Sequence, residues 1–272
     1  MAFCIPENRL ADTLIRNKFV AFFAAFFLFS HSGSTAELDK ATTRSNEPYR
    51  VLILGGTGQL GRAIISDLRA RPVKLSIFAR ANSDRSGLEP ASAAPQSTEW
   101  LTGDLMTAAD IDRAFDGRRF DIVINAVRVE DNDIHFYEKL MGPVTRNARR
   151  AGVKLFIHHS AVGAGNNVEK FRNMGWERVP GIFDRLKDQG VGEDILRASG
   201  IPYVIIRNAR LYPAKHPGTG NAVLTEDDSI LTAMTRIDLA RLTVGCIDNP
   251  ECVNKTYHVS DPSLPYPPTP AW

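Results

Sequence analysis

Gly55, Gly56, Thr57, Gly58, Gln59, Leu60, Gly61 and Arg62 follow the apolar run Val51 to Leu54 and lead into the apolar stretch Ala63 to Leu68. The glycines meet two spacings at once: positions 55, 58 and 61 fit G-x-x-G-x-x-G, and positions 56, 58 and 61 fit G-x-G-x-x-G. Four successive apolar residues suit a strand buried on both faces. The glycines then let the backbone turn sharply and approach a ligand, and the following helix aims its first amides at a phosphate. Strand, glycine loop and helix in this order are the context that a dinucleotide pyrophosphate requires. A purely structural glycine turn explains each glycine singly but leaves their combined spacing a coincidence.

The type of dinucleotide is read at the end of the second strand. An Asp or Glu there accepts hydrogen bonds from the ribose hydroxyls of NAD, whereas a 2′-phosphate calls for arginine. This chain has Arg80 at that position, and Arg62 directly after the last motif glycine offers a second guanidinium. Paired guanidinium forks suit a phosphate dianion better than lysine does. NADP(H) is therefore the expected cofactor, with NAD(H) the less suited one, unless both arginines are simply solvated.

With 272 residues and a formal net charge of +2, the chain can bury one well-packed domain and has no long basic run that would favour nucleic acid. Cys4 lies near the start, and Cys246 and Cys252 have neither C-x-x-C spacing nor neighbouring histidines. No metal site is expected, and the two later cysteines read as thiols without a role.

Residues Phe19 to Phe29 are almost wholly Phe, Ala, Val and Leu, preceded by Arg16 and Lys18 and followed by small residues from Ser32 to Ala36. This is the layout of a secretory signal, with Ser34 to Ala36 resembling a cleavage site, and the run is short for a bilayer span. Residues 1–36 are read as an exported or tethering leader and 37–48 as a polar linker. Contact with a membrane is expected only through residues 19–29. The alternative is a cytoplasmic protein whose true start lies downstream.

From residue 49 onward strands and helices alternate, the mark of a parallel sheet with crossover helices. Strands are expected at Arg50 to Leu54, Lys74 to Phe78, Glu99 to Thr102, Asp121 to Ala126, Leu155 to His159, Tyr203 to Arg207 and Thr256 to Val259. Helices are expected at Leu60 to Arg71, Met106 to Phe115, Ile134 to Ala151, Val191 to Ser199 and Arg236 to Cys246, with a Ser-, Pro- and Ala-rich loop from Ser83 to Ser97. Residues 49–207 form the nucleotide-binding domain, and 208–272 a C-terminal substrate-side region packed on it. Loops after the fourth to sixth strands fall at the carboxyl ends, where ligands of such sheets bind.

These residues resemble the atypical short-chain dehydrogenase/reductases, in particular the NmrA-like and flavin-reductase-like NAD(P)H-binding group. The resemblance covers most of residues 50–260 and rests on the glycine motif, Gly103 and Asp104, Asn125 and Ala126, Ser160 and Gly163, the stretch Leu196 to Arg207, and Arg236 to Ala240, which is similar to an R-x-D-x-A segment. It implies a Rossmann-type doubly wound α/β sheet. It also implies that Asp104 accepts from the adenine amino group, that Leu105 packs on the adenine ring, and that Asn125 and Ala126 line the cofactor site. Asp104 has a second reading as the cap of the helix ahead of Met106.

Typical members carry a Tyr followed four residues later by Lys on the helix after the fifth strand, and this chain has no such pair. Aligned without gaps, Arg185 and Gln189 take the two positions; a two-residue gap puts Phe183 and Lys187 there. Ser160, His159 and Lys187 are the candidate catalytic residues, with His158 and Tyr137 as further candidates. A histidine titrates near neutrality and can donate a proton, but only one of His158 and His159 can face the cofactor because neighbours on a strand point to opposite faces. Two functions follow. One is an NADP(H)-dependent oxidoreductase that passes hydride to a small organic acceptor without the tyrosine. The other is a non-catalytic NAD(P)-binding sensor.

Overall fold

Buried apolar runs set the strands. In the computed structural model, which describes residues 47–88, 98–129, 133–264 and 266, Val51 to Leu54 are at most 1% exposed. They form the core of β1 (Tyr49–Leu54). The chain continues through α1 (Gln59–Leu68), β2 (Val73–Ala79), β3 (Thr98–Thr102), α2 (Ala108–Phe115), β4 (Ile122–Asn125), α3 (Phe136–Arg150), β5 (Leu155–Ala161), α4 (Ile182–Ala198), β6 (Tyr203–Asn208), β7 (Val223–Thr225), α5 (Arg236–Gly245) and β8 (Lys255–Ser260). The sheet order is β3-β2-β1-β4-β5-β6-β8-β7, parallel throughout except where β7 runs antiparallel to β8. This is the expected doubly wound α/β fold, and residues from Glu47 onward form one compact unit.

Two apolar layers cover the sheet. α1 and α5 close one face over Ile53, Ile77, Ile157 and Ile206, while α2, α3 and α4 close the other over Leu52, Val123, Phe156 and Ile205. Strand alternation deals out these two sets and places the polar ends of β5, β6 and β8 in register. Ser160 stands opposite Arg207, and Arg207 opposite His258.

Several elements differ from the sequence-based expectations. α4 begins nine residues before Val191, because its inner face is built from Asp188, Gly190, Gly192 and Glu193 and so lacks an apolar stripe. Gly190 lets it approach the loop after β5 so closely that a Cβ there would lie 2.4 Å from the Gly165 Cα. β7 is only three residues long and has no signature of its own. The strand expected at Thr256 to Val259 is β8, which pairs with β6 on one side and β7 on the other.

The cysteine reading is corrected. Cys246 and Cys252 are joined in a disulfide with their Cα atoms 5.6 Å apart, within the range a bridge requires. It links the end of α5 to the turn before β8, and both residues are buried. The leader 1–36 and most of the linker lie outside the described residues, as do residues 89–97 of the Ser83 to Ser97 loop. Among the described residues no helix is long and apolar enough to cross a membrane.

Candidate functional site

At the carboxyl end of β1 the chain turns at Gly55, whose φ of 78° lies in the left-handed region that glycine tolerates best. A Cβ at Gly55 would come within 2.9 Å of the Ala126 carbonyl, and one at Gly61 within 2.3 Å of the Gly55 oxygen. These two glycines therefore seat α1 and the end of β4 against the loop. Gly58 N–H donates to the Gly55 carbonyl at 3.1 Å and closes the turn. α1 starts with no side-chain cap and no acidic residue in its first turn. Its first amides and positive dipole end are thus left for an anionic ligand, the arrangement that a pyrophosphate needs. Gly58 and Gln59 form the exposed lip of the loop beside the half-buried Thr57, whereas Leu60 is buried in the core.

Around this cradle the other expected cofactor residues take different places. Arg80 is exposed directly after β2. Arg62 is engaged within the protein. Its guanidinium donates to the Thr57 carbonyl at 3.0 Å, to the backbone carbonyls of Asp84 and Ser86, and to the Asp84 carboxylate at 3.0 Å. Arg62 therefore fastens the loop after β2 to the glycine loop. Asp104 is exposed and accepts from Met106 N–H at 2.9 Å, while Asp110 of α2 accepts from its amide at 2.7 Å. It forms a turn and does not cap α2, which begins only at Ala108. Leu105 is half-buried against the core.

Asn125 is fully buried and engaged within the protein. Its Oδ1 accepts from Val127 N–H at 3.1 Å, so its Nδ2 donates to Met141 Sδ at 3.4 Å and to His158 Nδ1 at 3.1 Å. It shapes the chain after β4 from within the core, while the backbone of Ala126 packs on Gly55.

At the end of β5 the two histidines point to opposite faces, as expected. His158 lies against Tyr137 of α3. Its Nδ1 accepts from Asn125, which puts its proton on Nε2. His159 faces α5, where Thr243 Oγ1 lies 3.2 Å from its Nε2 and Asn208 3.4 Å from its Nδ1. Burial holds both imidazoles down at about 4, so each is neutral at pH 7. His159 is a satisfied core histidine, and its candidate catalytic role is withdrawn. Tyr137 is likewise internal: its hydroxyl donates to the Val127 carbonyl at 3.0 Å, and burial pushes it up to about 12. Lys187 is exposed on α4, whereas Ser160 is buried.

The residue beside Ser160 is Gln189. Ser160 Oγ lies 3.4 Å from Gln189 Oε1, and it also meets Glu193 one turn further along α4. Gln189 is the residue that the ungapped count puts at the second of the two positions. Glu193 is itself buried and grips Arg207 through two bonds of 2.9 and 2.7 Å, with Arg197 joining at 2.8 Å. Burial opposes its charge, but these guanidiniums outweigh burial and keep its carboxyl below the usual range. The ring of His258 stacks on Phe171, and its Nδ1 bonds to the Ile230 carbonyl at 2.8 Å. Asp188 of α4 accepts from the amides of Tyr137 and Glu138 at 2.7 and 3.1 Å and so caps α3 from outside that helix. The sequence reading missed Glu193, Arg207 and His258, because their common place depends on strand register and no short spacing records it.

A family profile described as NAD(P)H-binding matches residues 55–250. The chain belongs to this NAD(P)H-binding family. Among solved structures, it is similar to ChuY, an anaerobillin reductase from Escherichia coli O157:H7, at 18% identity and a TM-score of 0.64 over 80% of this chain and 100% of that one. A short-chain dehydrogenase/reductase (wide type) from Veillonella parvula DSM 2008, solved in complex with NADP, matches at 14% identity and a TM-score of 0.64 over 82% of this chain and 99% of that one. A Rossmann-fold NAD(P)-binding family protein from Shigella flexneri matches at 24% identity and a TM-score of 0.56 over 82% of this chain and 98% of that one. No curated protein matches the chain. In this NAD(P)H-binding chain the residues that come together are the glycine loop with Ala126, and Ser160 with Gln189 and Glu193, while Arg80 follows β2, the strand beside β1.

Proposed function

We propose that this NAD(P)H-binding chain is an NADP(H)-dependent oxidoreductase that reduces a small organic acceptor without a Tyr-Lys pair. The observation that carries the reading is the uncapped start of α1 above a glycine cradle, with Arg80 at the end of β2, where a ribose 2′-phosphate would lie. Gly55, Gly58 and Gly61 give the pyrophosphate its close approach, and the α1 amides neutralise it. A bound nicotinamide supplies the hydride. The protein's part is to hold the acceptor near the ends of β4 to β6 and to exclude water. No buried histidine supplies the proton, so an electrophilic acceptor protonated from solvent fits best.

A second reading, a non-catalytic NAD(P) sensor, is favoured by the burial of Ser160 at 4% exposure beneath Gln189 and Glu193. Oxidation of NADPH against quinones, flavins and activated carbonyls separates the two. Tight cofactor binding without turnover of any acceptor would reject the oxidoreductase.

Cofactor choice is tested at Arg80. Arg80→Asp is expected to weaken NADPH at least tenfold and NADH little, since a hydrogen-bonded charge pair contributes about 1.5–3 kcal/mol. Equal losses for both dinucleotides would remove Arg80 from 2′-phosphate recognition. We also propose that the protein is exported, because a leader of secretory layout precedes a domain closed by a disulfide.

A further inference from the structure

The parallel strands β1, β2 and β3 all start at the edge of the sheet opposite the glycine loop. At that amino edge a cleft of about 390 Å³ lies between the three strand starts and the loop after α2. This is the size of a small-molecule site. Arg50 of β1 and Lys74 of β2 are register partners and both line it, together with Arg118 and Arg119 from the loop. Like charges directly opposite on neighbouring strands, about 5 Å apart, repel one another. From Arg50 to Leu54 the strand rises roughly 13 Å, so the cleft is separate from the cofactor cradle.

Among the described residues two carboxylates bond to the cations of this cleft, and both are committed. Asp121 accepts from Arg50 N–H, Nε and Nη2 at 3.0, 3.0 and 3.1 Å and from Lys154 Nζ at 3.0 Å. Glu99, the one acid in the lining, accepts from Ser76 Oγ at 3.0 Å and from Arg118 Nε at 2.8 Å. Arg118 also donates to the carbonyls of Arg113 and Asp116, both at 3.3 Å, which anchors it on the end of α2. Lys74 and Arg119 are exposed, and neither has a carboxylate partner among the described residues. The cleft thus combines a fixed, neutralised wall with two unpaired cations and the buried ring of Phe120. A lysine offers a compact point charge and an arginine a planar fork. A tetrahedral phosphate has oxygens to meet both at once, whereas a carboxylate has two oxygens in one plane.

We propose that this cleft is a second anion site, which binds a phosphate group away from the cofactor. The site is independent of the oxidoreductase reading. Such a group has two sources. One is a soluble phosphate compound. The other is a phospholipid headgroup, because the linker and the apolar run Phe19 to Phe29 precede β1, which starts at this edge. Glu89 precedes β3 outside the described residues, and its carboxylate is tested as a competing occupant.

The full chain, with its cofactor cradle filled by NADP⁺, is titrated with inorganic phosphate and followed by ³¹P NMR. It is also sedimented with vesicles of phosphatidylcholine, with and without phosphatidylglycerol. Lys74→Gln and Arg119→Gln are each expected to weaken phosphate binding about threefold, and together about tenfold. Replacing Arg149 and Arg150, exposed cations at the end of α3 outside the cleft, with glutamine removes the same charge and is expected to change it less than about 1.5-fold. NADPH affinity of every variant should stay within about twofold, which also reports that it folds. Phosphate binding without sedimentation upholds the site with a soluble ligand. Sedimentation that needs phosphatidylglycerol, Lys74 and Arg119 upholds it with a lipid headgroup. No binding in either assay, or an equal loss in the Arg149 and Arg150 variant, would overturn the proposal. Binding that appears only in Glu89→Gln would overturn it as well, by giving the cleft to the chain's own carboxylate.

Discussion

Burial of His158 and His159 makes the protein acid-sensitive. Each imidazole is depressed by burial to about 4, against about 6.5 in an unfolded chain. Between these values the unfolded chain takes up protons that the folded one refuses, so stability is complete above pH 6.5 and falls as the pH drops toward 4. A shift of this size corresponds to roughly 3 kcal/mol for each histidine. Urea midpoints measured at pH 7.5 and 4.5 should differ strongly, and His159→Gln should flatten the slope. An unchanged slope in that variant would show that His159 is not the group that titrates. The sequence made His159 visible only as a possible proton donor. What it could not show is that Thr243, 84 residues away, completes its hydrogen bonding at 3.2 Å.

At the level of elements, the legible parts were those with an apolar period. β1, β2, β4, β5 and β6 announce themselves as runs of Val, Ile, Leu and Phe, and the glycine loop lies where its spacing put it. α4 was only half legible, because its buried face carries Asp188, Glu193 and two glycines that serve neighbouring elements. The position of Arg62 suggests a phosphate, yet its guanidinium also bonds to Asp84 and Ser86, in a loop more than twenty residues away. The disulfide was hidden for a similar reason: a separation of six residues fits no motif, and only the turn after α5 brings Cys246 to Cys252. Closing so short a loop should stabilise by about 2 kcal/mol. Asp248 within it also accepts from the Tyr49 hydroxyl and from Arg71, both at 3.1 Å, which ties the turn to β1 and to the end of α1. Replacing both cysteines with alanine is expected to lower the melting temperature by about 4–8 °C, given the usual 2–4 °C per kcal/mol for a domain of this size. A change below about 1 °C would show that the bridge does not staple the fold.

For the whole molecule, the disulfide and the leader bear on the same question from opposite ends of the chain. Mesophilic cytosol keeps thiols reduced, so a bridge between Cys246 and Cys252 suits folding in an oxidising compartment. The apolar run Phe19 to Phe29 with small residues at Ser34 to Ala36 is the kind of segment that delivers a chain there. Against this stands the proposed cofactor, because NADP(H) is chiefly a cytosolic currency. An exported reductase would have to fold around a dinucleotide already present outside the cytosol. The contradiction is open to a direct test on protein from the cell that makes it. Intact mass after alkylation without reductant should show a chain beginning after Ala36, with Cys246 and Cys252 unmodified. A chain that keeps residues 1–36 with both cysteines oxidised would point to a tethered protein facing the same compartment. A full-length chain with both cysteines alkylated would reject export, return the enzyme to the cytosol and make the bridge irrelevant to its working state. NADPH found in the purified mature form would remove the remaining objection, since the glycine cradle and the uncapped start of α1 would then have held their ligand through export or acquired it afterwards.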